Sequence, residues 1–320
     1  MAIHTRFAPS PTGKLHLGHA WSAILAHDFA RAHGGIFSLR IEDIDGTRSR
    51  PEHVAAILAD LEWLGLAWDG EVVFQSQRLP LYQAALDRLR AQGLLYPCFC
   101  TRADIAASAS APHGPEGAVY PGTCRGLAAP DLTQPHCWRL DMEKALNQIL
   151  PRKGRGTSEA GGGVAAPNGV IASGEYPSVT LRAPPPPPGE DLLWHDATAG
   201  WVHANPAPQG DVVLARKDAP ASYHLAVTVD DAAQHITHVI RGLDLFHATH
   251  IHRLLQALLN LPTPEYRHHA LLTGPDGTRL AKRHNAPTLE TMRLAGTHGR
   301  ALADQLRNGQ LPVGIAAAKA

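Results

Sequence analysis

The sequence predicts an α/β protein built on a doubly wound parallel sheet that an insertion splits into two halves. β-compatible segments alternate with amphipathic helical segments in residues 1–95 and again in residues 211–310. Residues 96–210 differ from both, because they begin with a cysteine cluster and contain a glycine- and proline-rich segment, residues 151–190. We expect two half-domains around an insertion subdomain, a disordered segment inside that insertion, and a flexible tail over residues 311–320.

Charge and composition narrow the class of protein. Lys and Arg total 29 and Asp and Glu total 29, so the formal net charge is zero. A protein that holds nucleic acid mainly through phosphates is usually basic, so any RNA contact must use a local patch or be brief and salt-sensitive. The N-terminus has no basic segment followed by an apolar run, and no stretch reaches the ~20 apolar residues of a membrane span. We therefore expect a cytoplasmic protein without a membrane span.

A turn rich in proline and glycine links a strand to a helix near the start of the chain, over residues 8–20. Its prolines and Gly13 exclude a regular element. Residues 3–7 favour a strand, and an apolar stripe that begins at Leu17 favours a helix that ends near residues 34–35. A strand, a turn and a helix start present backbone N–H groups and a positive dipole end to an anion. The turn is therefore a candidate phosphate site.

Two histidines three residues apart, His16 and His19, lie where this helix is predicted to begin. Their ring N–H groups could donate to phosphate oxygens, and Gly18 between them would let a flat ligand approach the backbone. The alternative interpretation is a proline-rich loop with two surface histidines.

Three carboxylates, Glu42, Asp43 and Asp45, follow a predicted buried strand over residues 35–41. Open α/β sheets bind ligands at the carboxyl ends of their strands. Carboxylates there can hold an ammonium group, a bridging Mg²⁺ or a ribose hydroxyl. From the residues alone, a solvated acidic loop paired with Arg48 explains them equally well.

The helices expected next in the first half-domain cover residues 51–64 and 79–92. Each carries an apolar stripe on one face and ends at a glycine, Gly65 or Gly93, and Pro51 occupies the favoured first position of the earlier helix. We expect both helices to pack on the sheet as scaffold.

In the second half-domain, three strands and a helix are predicted: residues 211–217, 221–231, 236–240 and 245–260. This assignment places Tyr223 and Arg241 at strand ends. An arginine there could bind a carboxylate through two hydrogen bonds. As single residues, both could equally be structural.

Three of the four cysteines, Cys98, Cys100 and Cys124, lie within 27 positions of one another. A disulfide between such close neighbours as the first two would be strained and would not last in a reducing cell. Three thiolates suit Zn²⁺, which takes four tetrahedral ligands in a structural site. The residues alone leave the fourth ligand open between His113 and Cys137, although the latter also suits a packed strand. Unligated buried cysteines are the alternative.

A basic cluster that includes Arg279 and Lys282 follows a predicted turn at residues 274–277. Positive charge in a flexible loop suits a pyrophosphate leaving group. A solvated basic face is the alternative.

These motifs together resemble the class I aminoacyl-tRNA synthetases. From Arg6 to His19 the chain matches R-F-A-P-S-P-T-G-x-L-H-x-G-H, the glutamate-branch form of the HIGH signature, at every fixed position. Residues 40–48 match R-I-E-D-x-D-x-x-R. Residues 279–283 are similar to the KMSKS signature, with Lys282 retained but arginine and alanine replacing the first lysine and the serine. The resemblance covers most of residues 3–310 and implies a Rossmann-like, HIGH-type nucleotide-binding fold.

The resemblance also implies roles for the matched residues. Glutamate would contact Arg6, Phe7, Ala8, Pro9, Ser10, Glu42, Tyr223 and Arg241. ATP, with Mg²⁺, would contact His16, Gly18, His19 and Lys282. The catalytic charge stabilisation at phosphate would come from His16, His19 and Lys282. The arginine at a substrate carboxylate would favour glutamate over glutamine.

The chain looks like a short branch of this family, because the helical anticodon-binding domain of glutamyl-tRNA synthetases has no counterpart and C-x-C…Y-x3-C is present. The branch implies one structural zinc held by Cys98, Cys100, Tyr120 and Cys124. It also implies transfer of activated glutamate to the queuosine base in the anticodon loop of tRNA(Asp). Separately, we expect a monomer. Two alternatives stay open: a truncated synthetase that charges the 3′ end of tRNA(Glu), and a non-catalytic tRNA-binding zinc protein.

Overall fold

A computed structural model describes residues 2–107, 113–114, 117–149, 192–274, 288–312 and 315–317. Two segments singled out above lie outside these residues: the glycine- and proline-rich segment and the basic loop that contains Lys282.

Helices and strands alternate along most of the described chain. The helices are α1 (Leu17–Ala32), α2 (Pro51–Leu64), α3 (Leu79–Ala91), α4 (Arg102–Ala107), α5 (Met142–Ile149), α6 (Tyr223–Ala233), α7 (Phe246–Leu258), α8 (Leu289–Leu294) and α9 (Gly299–Arg307). The strands of the first half and the insertion are β1 (His4–Phe7), β2 (Ile36–Ile41), β3 (Val73–Phe74), β4 (Leu95–Cys98), β5 (His113–Gly114), β6 (Gly117–Ala118) and β7 (Cys137–Leu140). Those that follow are β8 (Leu193–Asp196), β9 (Gly200–His203), β10 (Val213–Ala215), β11 (His238–Gly242), β12 (Glu265–His269), β13 (Leu272–Thr273) and β14 (Ala316–Ala317).

The first sheet is parallel and has the order β1–β2–β3. Phe7 at the end of β1 pairs with Leu39 in β2, so both strands end at the same edge of the sheet. There the backbone N–H of Glu42 donates to the carbonyl of Pro9 over 3.0 Å. The turn before α1 and the acidic segment after β2 are therefore held against each other.

A second sheet has the order β11–β12–β8–β9, in which the first three strands run parallel and β9 antiparallel. Beside it, the backbone N–H of Thr237, just before β11, donates to the carbonyl of His4 in β1 over 2.9 Å. A third sheet, β10–β7–β4, is antiparallel. It pairs strands at the start and in the middle of the segment expected as an insertion with β10, which follows residue 210. Within the expected tail, β14 pairs with β13.

Two apolar clusters fix these elements. One packs α1, α2 and α9 against the first sheet through residues such as Ile24, Leu39 and Leu61. The other joins α3, α5, α6 and α7 through residues such as Leu86 and Leu254. Each fully buried leucine or isoleucine contributes about 1.5–3 kcal/mol of transfer free energy. The first cluster includes Phe7, Ile41 and Ile240, so it holds the ends of β1, β2 and β11 in place.

The first-half helices agree with the sequence patterns. Proline occupies the first turn of α2, and Gly65 caps its C-terminus with φ 77°, a left-handed conformation that glycine adopts without strain. α3 runs to Ala91, with Gly93 at φ 71° shortly after it. Both helices contribute buried residues to the apolar clusters, as scaffold helices should.

The strand predicted for residues 221–231 is wrong, because residues 223–231 lie in helix α6 and residues 221 and 222 directly precede it. The alternation of apolar residues suggested a strand, but every residue from Leu225 to Asp231 is buried. α6 packs against α3, α7 and β10, so several of its faces are covered and no one-sided apolar stripe is required. Tyr223 therefore begins a helix, whereas Arg241 does lie at the end of a strand, β11.

Candidate active site

A cavity of about 410 Å³ opens where β1, β2 and β11 end. It is lined by all the residues for which the resemblance implied glutamate contact: Arg6, Phe7, Ala8, Pro9, Ser10, Glu42, Tyr223 and Arg241. His16, Gly18 and His19 line the same cavity. Of the candidate catalytic residues, only Lys282 lies outside the described part of the chain.

His16 and His19 cap the N-terminus of α1 with their ring nitrogens. The Nδ1 atom of His16 accepts the backbone N–H of Gly18 over 3.1 Å, and Nδ1 of His19 accepts the backbone N–H of His16 over 3.2 Å. A neutral imidazole that accepts at Nδ1 carries its proton on Nε2. The fold therefore fixes both rings as Nε2–H donors at a helix N-terminus, beside the cavity.

Arg6 is held by a buried carboxylate that the sequence patterns did not reveal. Its Nε and Nη2 donate to the two oxygens of Asp231 over 3.0 and 3.3 Å. Arg40 reaches the same carboxylate, with 2.8 Å between Nη1 and Oδ1. Burial opposes ionisation of Asp231, but the two guanidinium groups hold its pKa below the usual value. Asp231 is thus an anion that anchors two arginines.

Glu42 is the acid of its segment that turns into the cavity. Its carboxylate lies 3.5 Å from Nη2 of Arg40. Desolvation by burial raises the pKa of Glu42 to about 7, against the attraction of Arg40 and Arg6. Asp43 and Asp45 point elsewhere: Asp43 accepts from Ser76, and Asp45 from Arg48 and Arg216. The acidic-loop alternative therefore describes Asp45 but not Glu42.

Arg40 is fully buried and needs further carboxylates besides Asp231. Its Nε lies 3.9 Å from Oδ2 of Asp230, the residue before Asp231 in α6. Asp230 in turn accepts from Arg78, Gln75 and Tyr82 over 2.6, 2.8 and 2.7 Å. This network ties α6 to β2 and to the start of α3. Charged residues inside the apolar runs of β2 and α6 were the signal in the sequence, because buried charges need partners.

Arg241 reaches the cavity from β11 and is 5% exposed. Its nitrogens donate to the hydroxyl of Tyr223 over 3.3 Å, to Oγ1 of Thr249 over 2.5 Å and to Nε2 of His268 over 3.1 Å. Among the described residues, no carboxylate oxygen lies within 4.0 Å of its guanidinium nitrogens. A buried arginine in this setting has charge to offer to a ligand carboxylate.

The thiols of Cys98, Cys100 and Cys124 form a separate cluster in which all three Sγ atoms lie within 4.8 Å of one another. Cys100 and Cys124 are 3.6 Å apart, close to the ~3.8 Å edge of a tetrahedron with Zn–S distances of about 2.3 Å. A hydrogen bond with Cys137 lowers the pKa of Cys98 to about 4, which favours the thiolate. The cluster could hold a metal ion.

The phenol oxygen of Tyr120 lies beside this cluster. Its hydroxyl lies 3.5 Å from Sγ of Cys100 and accepts the backbone N–H of Cys124 over 2.8 Å. The guanidinium of Arg139 lies 3.9 Å from the centre of its ring. Cys137 is a buried residue of β7 opposite Cys98 and is not one of the three clustered thiols. The side chain of His113 lies outside the described part of the structure.

None of the described helices is both long and apolar enough to cross a membrane.

Comparison with known proteins agrees with this site. Residues 2–135 and 171–309 match the family described as tRNA synthetases class I (E and Q), catalytic domain. Proteins named glutamyl-Q tRNA(Asp) synthetase are similar over nearly the whole chain. The one from Rhodobacter capsulatus is 48% identical over 91% of this chain and 95% of its own length. The one from Symbiobacterium thermophilum is 44% identical over 91% of this chain and 81% of its own length.

Solved structures show the same likeness in three dimensions. Glutamate-tRNA synthetase from Elizabethkingia anophelis aligns with a TM-score of 0.64 at 25% identity, over 88% of this chain and 53% of its own. A glutamate tRNA ligase from Elizabethkingia meningosepticum, solved in complex with its amino acid, gives 0.64 at 26% identity. This chain spans about half the length of either solved chain. It belongs to the class I tRNA synthetase catalytic-domain family, and proteins named glutamyl-Q tRNA(Asp) synthetase are among its curated relatives.

Proposed function

We propose that this chain activates L-glutamate with Mg·ATP and transfers the glutamyl group to the queuosine base of tRNA(Asp). The observation that carries the proposal is the composition of the cavity. A buried arginine without a described anionic partner, a buried carboxylate and a helix N-terminus with two imidazole donors all face one space. Those groups complement a carboxylate, an ammonium and a phosphate in turn.

The first step is attack of the α-carboxylate of glutamate on the α-phosphorus of ATP, with pyrophosphate leaving. Glu42 accepts the substrate ammonium, while Arg241, Tyr223 and Arg6 orient its carboxylates. His16 and His19 donate from Nε2 to the phosphate oxygens on which charge develops. Lys282 neutralises the same charge from the basic loop. Most of the rate enhancement then comes from positioning and charge stabilisation.

In the second step, a hydroxyl of the acceptor attacks the glutamyl carbonyl and AMP leaves. Proteins named glutamyl-Q tRNA(Asp) synthetase at 37–48% identity support queuosine in tRNA(Asp) as that acceptor. We propose that the enzyme acts as a monomer in the cytoplasm.

The first two sheets are further proposed to form one doubly wound, Rossmann-like sheet. The segment between β3 and β8 interrupts this sheet in the chain, so the interruption ends before residue 210, because β8 and β9 belong to the second sheet. Besides the backbone hydrogen bond already described, the N–H of His4 donates to Oγ1 of Thr237 over 2.8 Å. These hydrogen bonds join β1 to the residue before β11 and support the order β3–β2–β1–β11–β12–β8. In such a sheet the cavity lies at the point where strand order reverses, the usual ligand site of open α/β sheets.

The thiol cluster is proposed to hold one structural zinc through Cys98, Cys100, Cys124 and Tyr120. A tetrahedron with a Zn–S distance of about 2.3 Å and a Zn–O distance of about 2.0 Å has an S–O edge of ~3.5 Å. The distance from Tyr120 Oη to Cys100 Sγ supports the tyrosine as fourth ligand. Zinc would tie β4 to the loop that carries Cys124.

ATP–pyrophosphate exchange tests the first step, with glutamate, glutamine and aspartate each assayed with and without tRNA. Of the three amino acids, only glutamate should support exchange. Absence of exchange with every amino acid would leave the non-catalytic tRNA-binding zinc protein as the better account.

Transfer of radiolabelled glutamate tests the acceptor. We expect label on tRNA(Asp) that carries queuosine, and none on the same tRNA lacking queuosine or on tRNA(Glu). Nuclease digestion should release the label with the anticodon loop. Label on the 3′-terminal adenosine of tRNA(Glu) would instead identify a truncated glutamyl-tRNA synthetase.

A further inference from the structure

A carboxylate and a histidine stand behind Arg241, on the side away from the cavity. Oδ2 of Asp196 lies 2.7 Å from Nδ1 of His268, and Nε2 of His268 lies 3.1 Å from Nε of Arg241. The side chains of Asp196 and His268 are 1% and 0% exposed. Neither residue lines the cavity, so neither can touch a substrate there.

The donor and acceptor pattern allows one protonation state of His268. Nε of Arg241 is always a donor, so Nε2 of His268 must accept. The carboxylate of Asp196 is an acceptor, because hydrogen bonds from His268, Ala199 and Thr198 lower its pKa despite the opposing effect of burial. Nδ1 of His268 must therefore carry the proton. Burial also lowers the pKa of His268 to about 4, which keeps the ring neutral.

The remaining contacts of Arg241 are neutral as well. Its Nη atoms meet Oγ1 of Thr249, the carbonyl of Leu245, the hydroxyl of Tyr223 and Nδ1 of His252. Burial and the nearby charge of Arg241 lower the pKa of His252 well below its ordinary value. Neutral acceptors therefore hold the guanidinium of Arg241. The carboxylate of Asp196 does not contact this guanidinium directly and is linked to it only through the imidazole of His268.

We propose that Asp196 and His268 are positioning residues for glutamate: they form a fixed-tautomer relay that orients Arg241 without neutralising it. A carboxylate in place of His268 would hold the arginine equally firmly but would compete with the substrate carboxylate. An imidazole locked as an acceptor holds the Nε edge and leaves the charge for the ligand. The proposal rests on the proposed binding of glutamate by Arg241.

Asp196 is placed so that an amide cannot replace it. Its Oδ1 accepts the backbone N–H groups of Thr198 and Ala199 over 2.9 and 3.0 Å, and Oδ2 accepts the backbone N–H and Nδ1–H of His268. All four partners are donors. In Asp196→Asn the NH₂ group must face one of these pairs. If it faces His268, Nδ1 must accept and the ring proton moves to Nε2. Two donors, Nε2–H of His268 and Nε–H of Arg241, then face each other.

The same two strands supply a matched control. His195 and Glu265, next to Asp196 in β8 and three residues before His268 in β12, form another carboxylate–histidine pair at 2.8 Å. They lie on the opposite face of the sheet and are about one-third exposed. Glu265→Gln therefore removes a similar interaction between β8 and β12 without touching the relay.

Steady-state exchange kinetics test the relay through the separate KM values for glutamate and ATP. In Asp196→Asn the KM for glutamate should rise about 10-fold or more, as expected when a charged donor loses its acceptor. The KM for ATP should stay within about twofold, as should both values in Glu265→Gln. Equal effects of the two substitutions, or equal rises in both KM values, would overturn the proposal.

Two replacements of His268 test separately its contact with Arg241 and its contact with Asp196. His268→Gln can place an oxygen near the position of Nε2 and restore the acceptor for Arg241. His268→Asn can place a donor near the position of Nδ1 and satisfies only Asp196. The glutamine variant should keep the KM for glutamate closer to wild type than the asparagine variant does. The reverse order would show that packing around Asp196, rather than the orientation of Arg241, is what matters.

The tautomer can be read without activity, by ¹⁵N NMR of the imidazole nitrogens, with the His268 signals assigned by their loss in His268→Gln. The wild-type ring should show a protonated Nδ1 and an unprotonated Nε2. A proton on Nε2 would refute the relay even if exchange is normal. If the protein shows the expected tautomer but no glutamate-dependent exchange, the hydrogen-bond relay is supported and the proposed function is refuted.

Discussion

The carboxylate of Glu42 lies 3.5 Å from the guanidinium of Arg40, and both side chains are buried at the edge of the cavity. The buried pair leaves Glu42 with a pKa of about 7, since desolvation outweighs the attraction of the arginine. Glu42 therefore changes charge near neutral pH, where a substrate ammonium needs an anion.

We expect kcat/KM for glutamate to fall as the pH drops through about 7, because the protonated acid no longer attracts the ammonium. The pKa of Glu42 is higher in the folded protein than in the unfolded chain, so the folded state binds the proton more tightly. The free energy of unfolding therefore falls as the pH rises from 4.5 to about 7. Exchange assays between pH 5.5 and about 8.5 give the profile. Glu42→Gln should lose most activity and the inflection with it; an inflection that persists would assign it to another group.

Arg241→Lys should lower kcat/KM for glutamate about 10- to 100-fold, because a lysine keeps the charge but lacks the fork of donors. Arg241→Gln should also reduce the preference for glutamate over glutamine. Exchange with both amino acids measures the effect, and thermal unfolding checks the fold. A glutamine variant that keeps the wild-type preference would show that another residue selects the acid.

His16→Asn separates the two functions of the helix cap. Asparagine is a good N-cap residue, so the unfolding temperature should match wild type, whereas His16→Ala should destabilise the protein by about 0.5–2 kcal/mol. Both variants lose the Nε2–H donor, so both should slow adenylate formation about 10²- to 10³-fold. Normal exchange by the asparagine variant would remove His16 from catalysis.

Asp231→Asn should lower the free energy of unfolding by about 3–5 kcal/mol, because it leaves Arg6 and Arg40 without their shared anion. Urea denaturation measures this change. Asp87→Asn, at an exposed pair with Arg90, is the control and should change stability by less than about 0.5 kcal/mol. Similar losses in the two variants would mean that the buried network contributes little.

The purified protein should contain one zinc per chain. Cys124→Ser should lose most of the metal, and Tyr120→Phe should bind it more weakly, whereas Cys137→Ala should retain it. Metal analysis by mass spectrometry, combined with thermal unfolding before and after a chelator, tests all three. Full zinc content in Cys124→Ser, or loss of zinc in Cys137→Ala, would change the ligand set.

The parts of the site that the sequence could indicate are local. Residues 6–19 form one strand, turn and helix start, so their spacing alone predicts where His16 and His19 lie. Glu42 could be placed for the same reason, because it follows a strand that pairs with β1. Short-range geometry translates directly into position in such segments.

The support of the site could not be read from the sequence, since its partners are far apart in the chain. Arg6 and Asp231 are 225 residues apart, and Asp196 and His268 are 72 apart. The strand prediction for α6 is wrong because burial on several faces removes the helical periodicity. Asp231 lies within this helix, so its contacts with Arg6 and Arg40 could not be foreseen either.

Because Arg6 meets Asp231 across most of the chain, the order of synthesis matters for this protein. When two-thirds of the chain has been synthesised, Arg6 and Arg40 are already present but Asp231, the acid they share, has not yet been added. The nascent N-terminal half must keep these charges hydrated until α6 emerges, and contacts of such long range form slowly. A prematurely terminated product would therefore carry an intact signature motif and still lack the acid that holds Arg6 at the cavity.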